Sequence, residues 1–225
     1  IVSFGDRLAN DCGSLLDERG RNYLERMQAA SQRMKTFIYD LLEYSKVASK
    51  PRAFEPVDLG KVAIEVLDDL ETRVKQSYGQ VNVGNLPTIY ADPLLMRQLF
   101  QNLISNALKF HRPGVPPIVH LTARYTRKGF WKIEVEDNGV GFDMKYLDRI
   151  FKPFQRLHGR SEYEGSGMGL AICQKIVSVH GGTFSAKSEP QSGAKFIVLI
   201  PGSLGGGSQA GSDLDKSDKN GIGFD

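Results

Sequence analysis

Residues 98–110 read Gln98-Leu99-Phe100-Gln101-Asn102-Leu103-Ile104-Ser105-Asn106-Ala107-Leu108-Lys109-Phe110. Asp92-Pro93 stands just ahead, a side-chain cap followed by a proline at the first helical position, so a helix to about Phe110 is expected. Steps of four and three carry Asn102, Asn106 and Lys109 onto one face, with Leu99, Leu103, Ala107 and Phe110 on the other. Two carboxamides and an ammonium on one face can offer a neutral oxygen to a hydrated metal and a cation to a phosphate. Magnesium favours oxygen ligands, keeps several waters and commonly bridges nucleotide phosphates. A plain solvated polar face is the competing reading of these three residues taken alone.

Three stretches further along carry related chemistry. Asp137-Asn138-Gly139-Val140-Gly141-Phe142 ends a strand in which Ile133 and Val135 alternate with Glu134 and Glu136, one face buried and one wet. A carboxylate at a strand end can accept a hydrogen bond from an exocyclic amine, and two glycines let the backbone approach a flat ring. The same residues are equally good turn chemistry. Gly165-Ser166-Gly167-Met168-Gly169-Leu170 enters an amphipathic helix, where unpaired backbone N–H groups and the positive dipole end suit phosphates. Its spacing matches neither the Walker loop nor the Rossmann fingerprint. Between the two, Phe151 and Phe154 are expected to anchor a mobile segment while Lys152, Arg156 and His158 face outward. Long polar loops inside compact domains tend to be lids, and ordinary aromatic packing is compatible with that.

Residues 1–48 are helical in pattern. Leu24, Met27, Ser31, Met34, Ile38, Leu41 and Ser45 form a seam of period 3.5, widened on one side by Ala30, Phe37 and Tyr44. Ile1, Phe4 and Leu8 continue the rhythm in an earlier, shorter helix, and the break at Gly13 to Gly20 suits an antiparallel hairpin. Two helices bury little, so a second copy is the expected partner, with an intramolecular pair as the alternative. Lys50-Pro51 ends the long helix and residues 52–57 read as an extended connector. The pattern then turns mixed α/β. Asp58 caps a helix to about Gln76, strands fall near 81–83 and 88–90, and 118–124 pairs with 130–136 across Lys128-Gly129. A helix over about 167–179 and strands near 183–187 and 194–200 complete it.

Composition narrows the classes. With 29 basic and 26 acidic residues, a net charge of +3 and no long block of either sign, nucleic acid is not an expected partner. No apolar run approaches the ~18 residues of a membrane span, and Asp6, Arg7 and Asp11 interrupt any signal-peptide core. Cys12 and Cys173, far apart and without metal-ligand spacing, read as reduced thiols of a cytoplasmic protein. After Pro201, Gly/Ser-rich and polar residues to Asp225 read as a flexible tail or linker. Its end echoes a calcium loop, but the sixth position is Asn220 rather than glycine and the twelfth falls past residue 225, so calcium is not expected.

The order Asn-x3-Asn-x2-Lys, Asp-x-Gly-x-Gly, Phe-x-Pro-Phe, Gly-x-Gly-x-Gly, His180-Gly-Gly, over about Val57 to Pro201, resembles the ATP-binding domain of bacterial sensor histidine kinases. The wording around Phe154-Gln-Arg-Leu-His is most similar to kinases attached to phytochrome-like or PAS-type sensors. The resemblance implies an α+β fold, a two-layer sandwich with a mixed sheet covered by helices, preceded by a hairpin that dimerises into a four-helix bundle. Residues 1–50 would be the hairpin, 51–201 the ATP-binding catalytic domain and 202–225 the tail. ATP and Mg2+ would be the cofactors, with Asn106 on the metal and Asn102 and Lys109 as the catalytic pair around the phosphates. Asp137 would bind the adenine amine, shaped by Gly139 and Gly141. Lys152, Arg156, Gly165, Gly167, Gly169 and Leu170 would line the phosphates and lid, and His111 is a further candidate phosphate contact. The implied partners are a second copy through the hairpin and a response-regulator receiver domain, with no membrane contact from this segment.

Two departures qualify the resemblance. Hydrolysing members of the superfamily place a glutamate where Asn102 stands, and a carboxamide has no useful basicity, so water activation is disfavoured. The family's His box should precede a segment like Ile1 to Leu8, yet the four histidines are His111, His120, His158 and His180, all outside the hairpin. The expectation is ATP–Mg2+ binding and dimerisation without autophosphorylation. A nucleotide-gated dimerisation module and an ATPase of the same superfamily are the alternatives.

Overall fold

The computed structural model describes residues 1–49, 53–157 and 165–202. The expectations for His158 and for the tail, including its calcium-like end, lie outside the described residues.

Two helices, α1 (Val2–Cys12) and α2 (Glu18–Ser49), fold back on each other, with Gln28 Nε2 donating to Asp6 Oδ1 at 2.9 Å. The first is far shorter than the second and covers only its beginning. Leu24 and Ser31 of the seam are buried, while Met27, Met34, Ile38 and Leu41 remain 43–56% exposed. The widened side of the stripe turns toward the rest of the chain. Tyr44 and Val47 pack into the main core, and the Phe37 ring stacks on Phe154 with centroids 4.3 Å apart.

The expected extended connector is partly a strand, β1 (Glu55–Asp58). Asp58 then caps α3 (Leu59–Asp69), accepting from the backbone N–H groups of Gly60 and Lys61. The helix expected to run to Gln76 breaks at Leu70, whose N–H is shared between the carbonyls of Val66 and Leu67, and α4 (Glu71–Gln76) follows. Sharing one N–H between two carbonyls tightens the last turn. Then come β2 (Gln80–Val83), β3 (Thr88–Ala91) and α5 (Pro93–Lys109), the last capped by Asp92 accepting from Leu95 N–H. β4 (Ile118–Tyr125) and β5 (Phe130–Asp137) follow. A 3-10 turn (Met144–Tyr146) and α6 (Leu147–Ile150), both unforeseen, precede α7 (Gly169–Val179), β6 (Thr183–Ser188) and β7 (Ala194–Pro201). α7 starts two residues later than expected because Gly167 sits at φ +79°, outside helical space.

Strands run in the order β2-β4-β5-β7-β6, parallel between β2 and β4 and antiparallel elsewhere, while β1 and β3 form a separate antiparallel ribbon. α5 and α7 pack on each other and on this sheet, and α3 packs on α5. Leu99, Phe100, Leu103, Ile104, Val119, Leu121, Ile133 and Val198 are fully buried between the layers. Each such side chain contributes roughly 1.5–3 kcal/mol. The other sheet face is wet and ion-paired, with Lys132–Glu134 and Lys195–Glu136 each at 2.7 Å. Among the described residues no helix is long and apolar enough to cross a membrane.

Candidate functional site

A cavity of about 280 Å³ opens between α5, the end of β5, the 165–169 loop and α2. Its floor is built by the strand pattern. Asp137 is the last residue of β5, and its Oδ1 accepts hydrogen bonds from the backbone N–H of Gly139 at 2.8 Å and of Ala194 at 3.2 Å. Burial nonetheless pushes its carboxyl up to about 6, against the lowering effect of those two donors. A half-buried carboxylate held this way presents its remaining acceptor capacity to whatever enters the cavity.

The backbone around Asp137 is clamped from three sides. Asn138 Oδ1 accepts from Ile118 N–H at 2.8 Å and its Nδ2 donates to Pro116 O at 3.1 Å. Arg112 Nε donates to Asn138 O at 3.0 Å, and its Nη1 donates to Gln191 O at 3.3 Å. Buried Ser188 donates to Gly193 O at 2.7 Å and accepts from Phe142 N–H at 2.8 Å. Gly141 lies at φ +60°, and a Cβ there would stand 2.0 Å from Glu189 O, so no other residue fits.

Along one side, α5 presents Asn102, Asn106 and Lys109 to the cavity, as the helical spacing requires. The Lys109 ammonium lies 4.1 Å from the centroid of the Phe110 ring and 3.0 Å from where a Cβ on Gly165 would stand. Arg156 Nη1 donates to Gly165 O at 2.7 Å, and Phe154 N–H donates to Gly167 O at 3.1 Å, joining the glycine loop to the preceding segment. Gly165, Gly167, Gly169 and Leu170 line the same space, as do Asp137, Gly141 and Arg156. Gly139 does not; it lies beneath, against the Phe110 carbonyl. Lys152 is exposed and off the cavity, and His111 is off it too, its Nδ1 engaged with Leu108 O at 2.9 Å. The two aromatic anchors part company. Phe151 turns in against Phe184, with ring centroids 5.1 Å apart, whereas Phe154, at φ +63°, turns out onto Phe37 of α2.

Asp40 of α2 was missed: it lines the cavity although it belongs to the hairpin. It stands three residues beyond Phe37, on the side of α2 that faces α7. Only knowledge of that packing would single it out among the charges of the helix.

A purine nucleotide with magnesium fits these residues. The floor beside Val140, Gly141 and Phe142 suits a flat ring, and the Asp137 carboxyl suits its amine. The carboxamides of Asn102 and Asn106 are hard neutral oxygen donors beside a lysine and a glycine loop. Asn102 Nδ2 is buried without a hydrogen-bond partner among the described residues.

Comparison with known proteins identifies the family. Residues 91–204 match the family model described as histidine kinase-, DNA gyrase B- and HSP90-like ATPase. The chain is 38% identical over 186 residues to the phytochrome-like protein Cph1 of Synechocystis sp., covering 83% of this chain and 25% of that protein. It is 42% identical over 168 residues to cyanobacterial phytochrome A of Nostoc sp., covering 75% of this chain and 22% of that protein. The chain thus spans about a quarter of the length of these relatives. Among solved structures, full-length ShkA in complex with AMPPNP superposes with a TM-score of 0.67 at 26% identity, covering 89% of this chain and 42% of that one. The Acinetobacter baumannii histidine kinase AdeS shares the fold, with a TM-score of 0.65 at 22% identity over 90% of this chain and 94% of that one. The chain belongs to the histidine kinase-, DNA gyrase B- and HSP90-like ATPase family, and carries within it the ATP-binding domain of a sensor histidine kinase.

Proposed function

We propose that the chain is the catalytic part of a two-component sensor histidine kinase, which transfers the ATP γ-phosphate to a histidine and passes it on to a response-regulator aspartate. The observation that carries this is the convergence of Asn102, Asn106 and Lys109 on one cavity with half-buried Asp137 and the 165–169 loop. ShkA, a structural relative, is described in complex with an ATP analogue, AMPPNP. In this reading Asp137 receives the adenine amine. Asn106 holds magnesium, with Asn102 and Lys109 around the phosphates and Arg156 steadying the glycine loop over them. Magnesium, when bound, neutralises phosphate charge. Phosphoryl transfer asks the protein mainly for positioning and charge compensation, which carboxamides, a lysine and backbone amides supply. Asn102 favours transfer over hydrolysis because it lacks the basicity to activate water.

Residues 1–50 act here as the dimerising hairpin, 51–201 as the ATP-binding domain and 202–225 as a tail or linker. The exposed seam of α2 is the face for a second copy, and a receiver domain is the downstream partner. The protein works in the cytoplasm, without nucleic acid or membrane contact from this segment. No histidine lies in the hairpin, so residues 1–225 with labelled ATP should form no phosphohistidine. A histidine-containing hairpin of a relative, supplied in trans, should become labelled. ATP binding without labelling of that hairpin would leave a nucleotide-gated dimerisation module instead, and steady phosphate release without any acceptor would mark an ATPase.

A further inference from the structure

We propose that Asp40 is a specificity-determining residue of the cavity: its carboxylate, lent by the hairpin, opposes the phosphate chain of a bound nucleotide and leaves the ring end untouched. The proposal rests on the nucleotide reading of that cavity.

The path of α2 places the charge. The Phe37 ring stacks on Phe154, whose N–H donates to Gly167 O, so this part of α2 stands beside the glycine loop that leads into α7. Further on, Val47 enters the core, and beyond the helix Phe54 stacks on His180 at the far end of α7. α2 and α7 pack on each other, so they run in the same direction. Asp40, one turn after Phe37, is advanced about 4.5 Å along the axis, toward the first turn of α7. It lines the cavity there together with Arg156, Gly165, Gly167 and Gly169.

Asp40 is half-buried and has neither a hydrogen bond nor an ion pair among the described residues, so no neighbour there neutralises it. Like charges repel more strongly where water is partly excluded than at an open surface. The cost grows with each phosphate, and a cation on the chain lowers it. Asp137, the other carboxylate among the described lining residues, ends β5 at the floor. The two acidic groups thus act on opposite ends of one ligand. The amide oxygens suited to magnesium belong to α5, a separate wall.

The test compares binding of adenosine, ADP and ATP to residues 1–225 and to Asp40→Asn, by calorimetry with Mg2+ and with a chelator. The isosteric change should leave adenosine affinity as it is and strengthen metal-free ATP roughly fivefold at low salt, ADP by less. Mg2+ and high salt should each shrink the ATP gain. Asp40→Ala, which also removes the charge, should reproduce the pattern. ATP affinity unchanged in both variants, or raised equally for adenosine, would overturn the inference. Weaker binding of ATP with Mg2+ in Asp40→Asn would overturn it too, and make the carboxylate a metal-side contact. Wild-type protein that binds neither ATP nor adenosine would instead overturn the nucleotide reading, and the inference with it.

Discussion

His180 Nε2 accepts a hydrogen bond from the backbone N–H of Asp92 at 3.1 Å, joining residues 88 apart in the chain. Its Nδ1 donates to Ile176 O at 2.8 Å, and the Phe54 ring lies parallel on it at 4.7 Å and 8°. The imidazole is thus held neutral in one tautomer. It ties the end of α7 to the cap of α5, with the Phe54 ring stacked on it. This gives the His-Gly-Gly wording a structural purpose that a nucleotide contact would not.

Replacing that ring should be costly. His180→Ala strips partners from the Asp92 N–H and the Ile176 carbonyl and opens a void. The expected loss of stability is about 2–4 kcal/mol by denaturant unfolding. Paired with Phe54→Ala in a double-mutant cycle, it should show clear non-additivity. Additive effects would mean that the stack contributes nothing.

Asp137 sets the pH response. Its folded-state value of about 6 lies above the ordinary 3.8, so between these values the folded chain keeps a proton that the unfolded chain releases. Stability of the nucleotide-free protein should therefore fall as pH rises from 4 to 6, by at most about 3 kcal/mol. Asp137→Asn should remove this slope and raise the melting temperature at pH 7.5, an isostere without the buried charge. ATP affinity should move oppositely, weakening as pH drops below about 6, because an amine donor favours the ionised carboxylate. Equal pH profiles of ATP affinity in wild type and Asp137→Asn would refute the assignment.

Asn106→Ala should separate metal from nucleotide. Removing its oxygen is expected to abolish most of the affinity that Mg2+ adds, about tenfold, while metal-free ATP binding survives. Calorimetry with and without a chelator reads both quantities.

Gly141→Ala should be damaging out of proportion to one methyl group. The positive φ and the approach to the Glu189 carbonyl cannot both be kept, so a loss of about 2–4 kcal/mol is expected, together with loss of ATP binding. Near-wild-type unfolding of this variant would mean that the loop relaxes freely.

The parts of this molecule governed by local rules were readable in advance. Asp58 and Asp92 cap where their side chains predict, and helical spacing alone brings Asn102, Asn106 and Lys109 to one wall. The alternation through Ile133 and Val135 likewise delivers Asp137 to a strand end. The rest depended on pairings between distant segments. β1 carries only four residues and includes Pro56, so nothing marks it as a strand until Glu55 pairs with Ala91. The break at Leu70 has no glycine or proline to announce it. The Arg112 and Ser188 clamps require the β6–β7 turn to come beneath the DNG stretch, which spacing does not reveal. Lys152 sits among plausible phosphate ligands in sequence but points elsewhere, since α6 and Phe151 orient that segment.

The placement of Asp40 and Phe37 has a thermodynamic corollary. One long helix both carries the exposed seam and lends a wall to the cavity, so any ligand filling that cavity senses the helix's position. Linkage is reciprocal: a shift of α2 that changes ligand affinity by some factor must be favoured or opposed by the ligand through the same factor. Nucleotide affinity measured on residues 53–202 alone would then describe a different receptor from that of the chain with its hairpin attached.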